Sequence, residues 1–138
     1  MTGTYHHTID AKGRMFVPAR LREELGKEFY VTITPEKCIQ MYPLARWEDA
    51  LDKLRLMSQK EQRSLRPIFA KAAHCVPDSQ WRIQLTPELR EHGNLAKDIT
   101  IVGTGLYAQI WDSEAYKLVE EKENNPENIE QAMEDLGF

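Results

Sequence analysis

The feature that most limits what this chain can fold into is an internal repeat. Asp10-Ala-Lys-Gly-Arg14 returns as Asp78-Ser-Gln-Trp-Arg82, both D-x-x-x-R and 68 residues apart. Apolar residues follow each copy: Met15, Phe16 and Val17 in the first, Ile83 and Leu85 in the second. A proline-marked helix start comes next, at Pro18 and at Thr86-Pro87. Proline suits the first helical turn, where its missing N–H would have had no intrahelical partner. Leu21-Arg22-Glu23 then matches Leu89-Arg90-Glu91, Leu25 to Val31 matches Leu95 to Ile101, Tyr42 matches Trp111, and Trp47 matches Tyr116. The β-branched runs at 30–33 and 99–102, each followed by turn residues, read as strands. Each unit therefore reads as strand, short helix, strand, turn, strand, helix. A unit this short cannot bury both faces of its own strands, and unpaired strand edges invite aggregation. The expected fold is α+β, with two tandem βαβ-type half-units completing one pseudo-twofold, barrel-like core. The expected boundaries are 1–52 for the first half-unit, 53–73 for a helical connector, 74–120 for the second half-unit and 121–138 for an acidic tail.

In the connecting stretch the pattern becomes helical. Leu44, Trp47, Leu51 and Leu54 recur at three-to-four-residue spacing on one face. Ser58-Gln-Lys-Glu61 has capping-box spacing, so a second helix is expected to start there. Pro67 bends or interrupts it. Six basic residues, Lys53, Arg55, Lys60, Arg63, Arg66 and Lys71, lie along the connector. They are expected on solvated helix faces rather than in direct contact with nucleic acid. After Tyr116 the pattern decays into a polar, acidic run expected to fray into a flexible tail. Ile129, Met133 and Leu136 keep a trace of helical spacing, enough for a short terminal helix.

The net charge of −4 is unevenly spread. Residues 1–74 hold 13 Lys and Arg against 9 Asp and Glu, whereas residues 75–138 hold 5 against 13. The first 22 residues carry Lys12, Arg14, Arg20 and Arg22 against Asp10 alone. A phosphate-binding surface needs local positive charge, not a positive total, so the balance leaves nucleic acid open as a partner. No run approaches the ~20 apolar residues of a membrane-spanning helix. The N-terminus has no signal-peptide pattern, so a cytoplasmic location is expected.

Little here points to catalysis or metal binding. Cys38 and Cys75 are far apart and outside any C-x-x-C pair, and are expected as small buried hydrophobes in a reducing compartment. His6 and His7 lack further ligands downstream and are expected to alternate faces of a strand. Gly103-Thr-Gly105 is too short for a dinucleotide loop. Asp10 and Asp78 read as structural loop residues rather than a catalytic pair. Repeat equivalence puts Tyr42, Trp47, Trp111 and Tyr116 in the core rather than against bases. The expectation is no enzyme, no cofactor and no metal.

Five motifs in order carry a family resemblance. They are Tyr5-His-His-Thr-Ile-Asp-Ala-Lys-Gly-Arg14, Val17-Pro18-Ala19, Met41-Tyr42-Pro43-Leu44 with Trp47, the second Asp78…Arg82, and Ile110-Trp111. Together they resemble the MraZ family of bacterial transcriptional regulators over roughly residues 1–120. That family is similar to a tandem duplication of the AbrB-type swapped-hairpin unit. The resemblance implies that the half-units interlock into one swapped-hairpin β-barrel, with helices following each half. It implies ring-like homo-oligomers that act at the nucleoid by binding double-stranded DNA. The implied targets are repeated promoter boxes upstream of the division and cell-wall gene cluster. It places the DNA-contacting residues in the D-x-x-x-R loops, here Lys12 and Arg14 in the first copy and Arg82 in the second, with Asp10, Gly13 and Asp78 shaping the loops. One position departs from the pattern: Trp81 stands where the family has glycine. Glycine takes a positive φ at no steric cost and tryptophan does not. The second loop is therefore expected to differ in shape, and most DNA contact is expected on the first copy. The rival expectation is an AbrB-like antitoxin or protein-interaction module acting through a C-terminal segment. The duplication argues against it, because nearly the whole chain is spent on two units and their helices.

Overall fold

The computed structural model describes residues 1–138. The first half opens with β1 (Thr4–Thr8), on which partly buried and exposed residues alternate, His6 out and His7 half-buried. A tight turn leads to β2 (Arg14–Phe16). Pro18 then starts a single 3-10 turn, Ala19–Leu21, that continues as α1 (Arg22–Leu25). β3 (Phe29–Ile33) and β4 (Ile39–Pro43) form a hairpin, and α2 (Leu44–Arg55) follows. The capping box opens α3 (Gln59–Ser64): Ser58 Oγ accepts from the Glu61 N–H, and the Glu61 carboxylate accepts from the Ser58 N–H. Pro67 sits in the first turn of α4 (Arg66–Ala70), where it interrupts one helical stretch and starts the next.

The second half repeats the order with β5 (Ala73–Cys75), β6 (Arg82–Gln84), α5 (Pro87–Gly93), β7 (Asp98–Gly103), β8 (Ala108–Asp112) and α6 (Ser113–Glu123). Thr86 caps α5 by accepting from the Leu89 N–H, with Pro87 in the first turn. A last helix, α7 (Pro126–Asp135), follows.

Two expectations need correction. β5 was not legible in the sequence, because three residues are too few for alternation to show. Pairing makes it a strand, with Phe29 opposite Cys75 and Val31 opposite Ala73. The acidic end carries the short terminal helix that the spacing of Ile129, Met133 and Leu136 suggested, but the expected fraying before it is absent, since α6 continues to Glu123. Asn125 caps α7 by accepting from the Asn128 N–H, and Pro126 occupies its first turn. Local capping and helix-forming residues outweigh the like-charge repulsion.

The chain is a mixed α and β fold of two tandem halves, and every strand ladder is antiparallel. A six-stranded sheet runs β1-β7-β8-β4-β3-β5, beside a two-stranded ribbon of β2 and β6. The ladders cross between the halves: β1 pairs with β7, β5 with β3, β4 with β8 and β2 with β6. Neither half has a complete sheet of its own. The core is drawn equally from both: Phe29, Val31, Ile39 and Met41 from the first, Ile99, Ile101, Ala108 and Ile110 from the second, all fully buried. Fully burying such side chains contributes about 1.5–3 kcal/mol for each of the larger ones. Of the repeat-equivalent aromatics, Trp47 and Trp111 are buried as expected, whereas Tyr42 and Tyr116 are only half-buried beside them. Trp47 stacks on Tyr30 with ring centroids 4.6 Å apart and planes 5° apart, and Trp111 meets Tyr116 at 5.8 Å. No helix is long and apolar enough to cross a membrane.

Cys38 and Cys75 are buried and unbridged, as expected. Burial pushes the Cys38 thiol up to about 11 and the Cys75 thiol up to about 12. The thiolate is the reactive form, so both are held inert at neutral pH. An aromatic disulfide reagent at pH 8 should label the native protein at least about tenfold more slowly than the denatured chain. Equal rates would place a thiol at the surface.

Candidate nucleic-acid interface

The two D-x-x-x-R segments form the same loop. In the first, the Gly13 N–H donates to the Asp10 carbonyl at 2.9 Å and the Asp10 N–H to the Arg14 carbonyl at 3.0 Å. In the second, the Trp81 N–H donates to the Asp78 carbonyl at 2.9 Å and the Asp78 N–H to the Arg82 carbonyl at 3.0 Å. The aspartate side chain fastens each loop from inside. One Asp10 oxygen accepts from the N–H groups of Lys12 and Arg14, and one Asp78 oxygen accepts from those of Gln80 and Arg82, all at 2.9 Å. The other oxygen accepts from the arginine Nε, at 2.7 Å from Arg14 and 2.9 Å from Arg82. These ion pairs are partly exposed, so they add little to stability. What they do is orient. Each guanidinium is held by its inner nitrogen, and its two terminal nitrogens make no hydrogen bond within the protein.

The expectation that Trp81 reshapes the second loop does not hold. Trp81 adopts φ 61°, close to the 79° of Gly13. A left-handed conformation costs a non-glycine residue roughly 1–2 kcal/mol. Here the ring packs against the core, and the Arg22 guanidinium lies 5.3 Å from its centroid. Apolar burial and a cation–π contact offset the backbone strain.

The ribbon sets the two arginines in one surface. Met15 and Ile83 pair across it and are buried, so the alternate positions face outward. Those are Arg14 opposite Gln84 and Phe16 opposite Arg82. Antiparallel pairing puts the two loops at opposite ends of the ribbon. The ends are tied reciprocally: the Leu85 N–H donates to the Gly13 carbonyl and the Val17 N–H to the Trp81 carbonyl, each at 2.8 Å. Arg14 and Arg82 line a single open depression of about 420 Å³. Lys12 stands exposed on the first loop outside it, its carbonyl accepting from Gln84 Nε2 at 2.8 Å. Phe16 and Gln84 were missed as surface residues of this site. The available signal was their matching place in the repeat, two positions beyond each arginine.

Both aspartates have carboxyls held below the ordinary 3.8. For Asp10 the chief cause is the Arg14 backbone N–H, then the Arg14 side chain; for Asp78 it is the Arg82 backbone N–H. A depressed carboxylate contributes stability that is complete above its unfolded value and is lost as pH falls through the lower folded one. The loops should therefore hold at neutral pH and loosen only below about 4. Asp10→Asn should flatten part of the acid limb of an unfolding titration, with the wild type losing more stability between neutral and acid pH. An identical acid limb in both proteins would show that Asp10 does not fasten the loop.

The chain matches the family described as "MraZ protein, putative antitoxin-like" over residues 1–66 and 68–137. It is 42% identical to a protein of Carboxydothermus hydrogenoformans named transcriptional regulator MraZ, over 83% of this chain and 82% of that one. Proteins of the same name from Thermoanaerobacter sp. and Caldicellulosiruptor saccharolyticus are 37% and 38% identical, each over 100% of this chain and 99% of their own length. The two matched segments meet at residue 67, inside the stretch that connects the two copies of the repeat, and the chain belongs to the MraZ family.

Proposed function

We propose that this protein is a transcriptional regulator that binds double-stranded DNA sequence-specifically, through the outward face of the β2–β6 ribbon and its two D-x-x-x-R loops. The observation that carries the reading is the pair of aspartate-oriented guanidinium groups, identically held at the two ends of one ribbon. A two-stranded ribbon fits the major groove, and a guanidinium can bind guanine O6 and N7 bidentately. Arg14 and Arg82 are the base-reading candidates, and Lys12 a phosphate contact. Asp10, Asp78 and Gly13 shape the loops. Strand exchange between the halves supports a swapped-hairpin barrel of the AbrB kind. One ribbon offers few positive charges, so specificity calls for several ribbons on one particle. That favours a ring-like homo-oligomer reading repeated promoter boxes, at the nucleoid, upstream of its own division and cell-wall genes.

The test is a binding assay on the chain's own upstream DNA across salt concentrations. Specific binding that weakens with salt is expected, and affinity no better than for scrambled duplex would overturn the reading. Lys12→Ala should weaken binding evenly across sequences and reduce the salt slope by about 0.9 per subunit engaged. An unchanged slope would remove Lys12 from the phosphate contacts.

A further inference from the structure

The fold leaves two surfaces unmatched, and their chemistries are complementary. The first is α7. Ile129, Met133 and Leu136 fall at i, i+4 and i+7 on one face, and every residue from 126 to 138 is exposed. Ile129 and Met133 are 45% and 46% exposed and Leu136 71%, so the stripe stays open to solvent. Glu130 and Glu134, also four apart, run along one edge of it. Residues 120–138 carry seven Asp and Glu against Lys122 alone.

The second is an open groove of about 610 Å³ among α2, α3 and α4. Leu54, Phe69 and Ala70 contribute its apolar lining, and Arg63 and Arg66 its charge. The stretch 53–71 carries six basic residues and one acid, Glu61, which is engaged with Ser58 in the capping box. The groove has what an acidic amphipathic helix needs: an apolar lining for the stripe and guanidinium groups for the edge. Phosphate would use the arginines but has no use for the leucine and phenylalanine beside them.

We propose that α7 of one copy of this chain docks in the α2–α3–α4 groove of the next, and that this contact joins the subunits. It rests on the reading of the protein as a homo-oligomer and names the surface that builds it. Helix and groove are different patches of the same chain, so the contact is head to tail, the kind that closes into a ring when the rotation allows. The six basic connector residues are then assembly residues, not DNA contacts.

A charge swap in the full-length protein tests this by size exclusion with light scattering, with circular dichroism to establish folding. Wild type should have the mass of several chains. Arg63→Glu with Arg66→Glu should lower it to one chain, and so should Glu130→Lys with Glu134→Lys. Mixing the two variants should restore the multi-chain mass, because each reversed tail then meets a reversed groove and each native tail a native groove. A folded variant that keeps the wild-type mass, or a mixture that stays monomeric, would overturn the docking and leave the oligomer intact as a reading. A groove variant of unchanged mass that no longer binds DNA would overturn it in favour of a nucleic-acid surface. A monomeric wild type would overturn both the docking and the oligomer.

Discussion

Arg14→Ala is expected to lose specific DNA binding while keeping its fold. The side chain is partly exposed, and the loop does not depend on it. Asp10 would still accept the backbone N–H groups of residues 12 and 14, and Met15 and Val17 would still anchor the strand in the core. What disappears is an oriented guanidinium at the outer face of the ribbon. One bidentate base contact is worth about 1–3 kcal/mol of discrimination, so affinity for the specific duplex should fall at least about fivefold. Several engaged subunits would multiply the loss. Arg82→Ala should act in the same direction but less. The reason is not loop shape, since Trp81 holds the second loop in the geometry of the first. It is charge: Gln80 stands where the first loop has Lys12, and the second half of the chain is acidic. A competition shift assay with specific and scrambled duplexes, paired with circular dichroism, measures both. A folded Arg14→Ala protein selecting its site at wild-type affinity would move the DNA surface away from the ribbon.

The repeat made most of this legible. Matching 10–14 with 78–82 locates both loops, both ribbon strands and the buried tryptophans Trp47 and Trp111. Exchange of strands between the halves followed from the shortness of each unit. Two kinds of information stayed out of reach. Strand β5 exists because β3 offers it an edge, and three residues carry no periodicity of their own. The conformation of Trp81 depends on Arg22 and the core beneath its ring, which are contacts distant in sequence. Local propensity, which disfavours a positive φ there, was overridden by packing. The tail was legible in part: the spacing of Ile129, Met133 and Leu136 gave the terminal helix, whereas the acidic composition suggested fraying that Asn125 and Pro126, as cap and first turn, prevent.

The two loops reach one backbone shape by opposite means, and this predicts an asymmetric response to substitution. Gly13 sits beneath Arg90 as Trp81 sits beneath Arg22, in keeping with the repeat. At Trp81 a ring fills the space under the arginine. At Gly13 the arginine itself fills it: a Cβ there would lie 2.8 Å from Arg90 Nε and 3.0 Å from the Leu85 carbonyl oxygen. Arg90 Nε is buried, so it has no open solvent on its own side to move into. Leu85 cannot easily withdraw, because its N–H is bonded to the Gly13 carbonyl across the ribbon. Gly13→Ala therefore adds left-handed strain of about 1–2 kcal/mol and a steric overlap of similar size. Its melting temperature should fall by about 6–12 °C, at roughly 3 °C per kcal/mol for a chain of this length. Trp81→Gly should move it far less, because relief of backbone strain is set against loss of the packed ring and its cation–π contact. Thermal unfolding of the two variants beside wild type decides the matter. If Gly13→Ala melts within about 2 °C of wild type, the space beneath Arg90 is not filled as described, and glycine at that position serves something other than close packing of the loop. If it melts low and Trp81→Gly does not, the repeat has preserved its backbone while exchanging which side chain fills the gap.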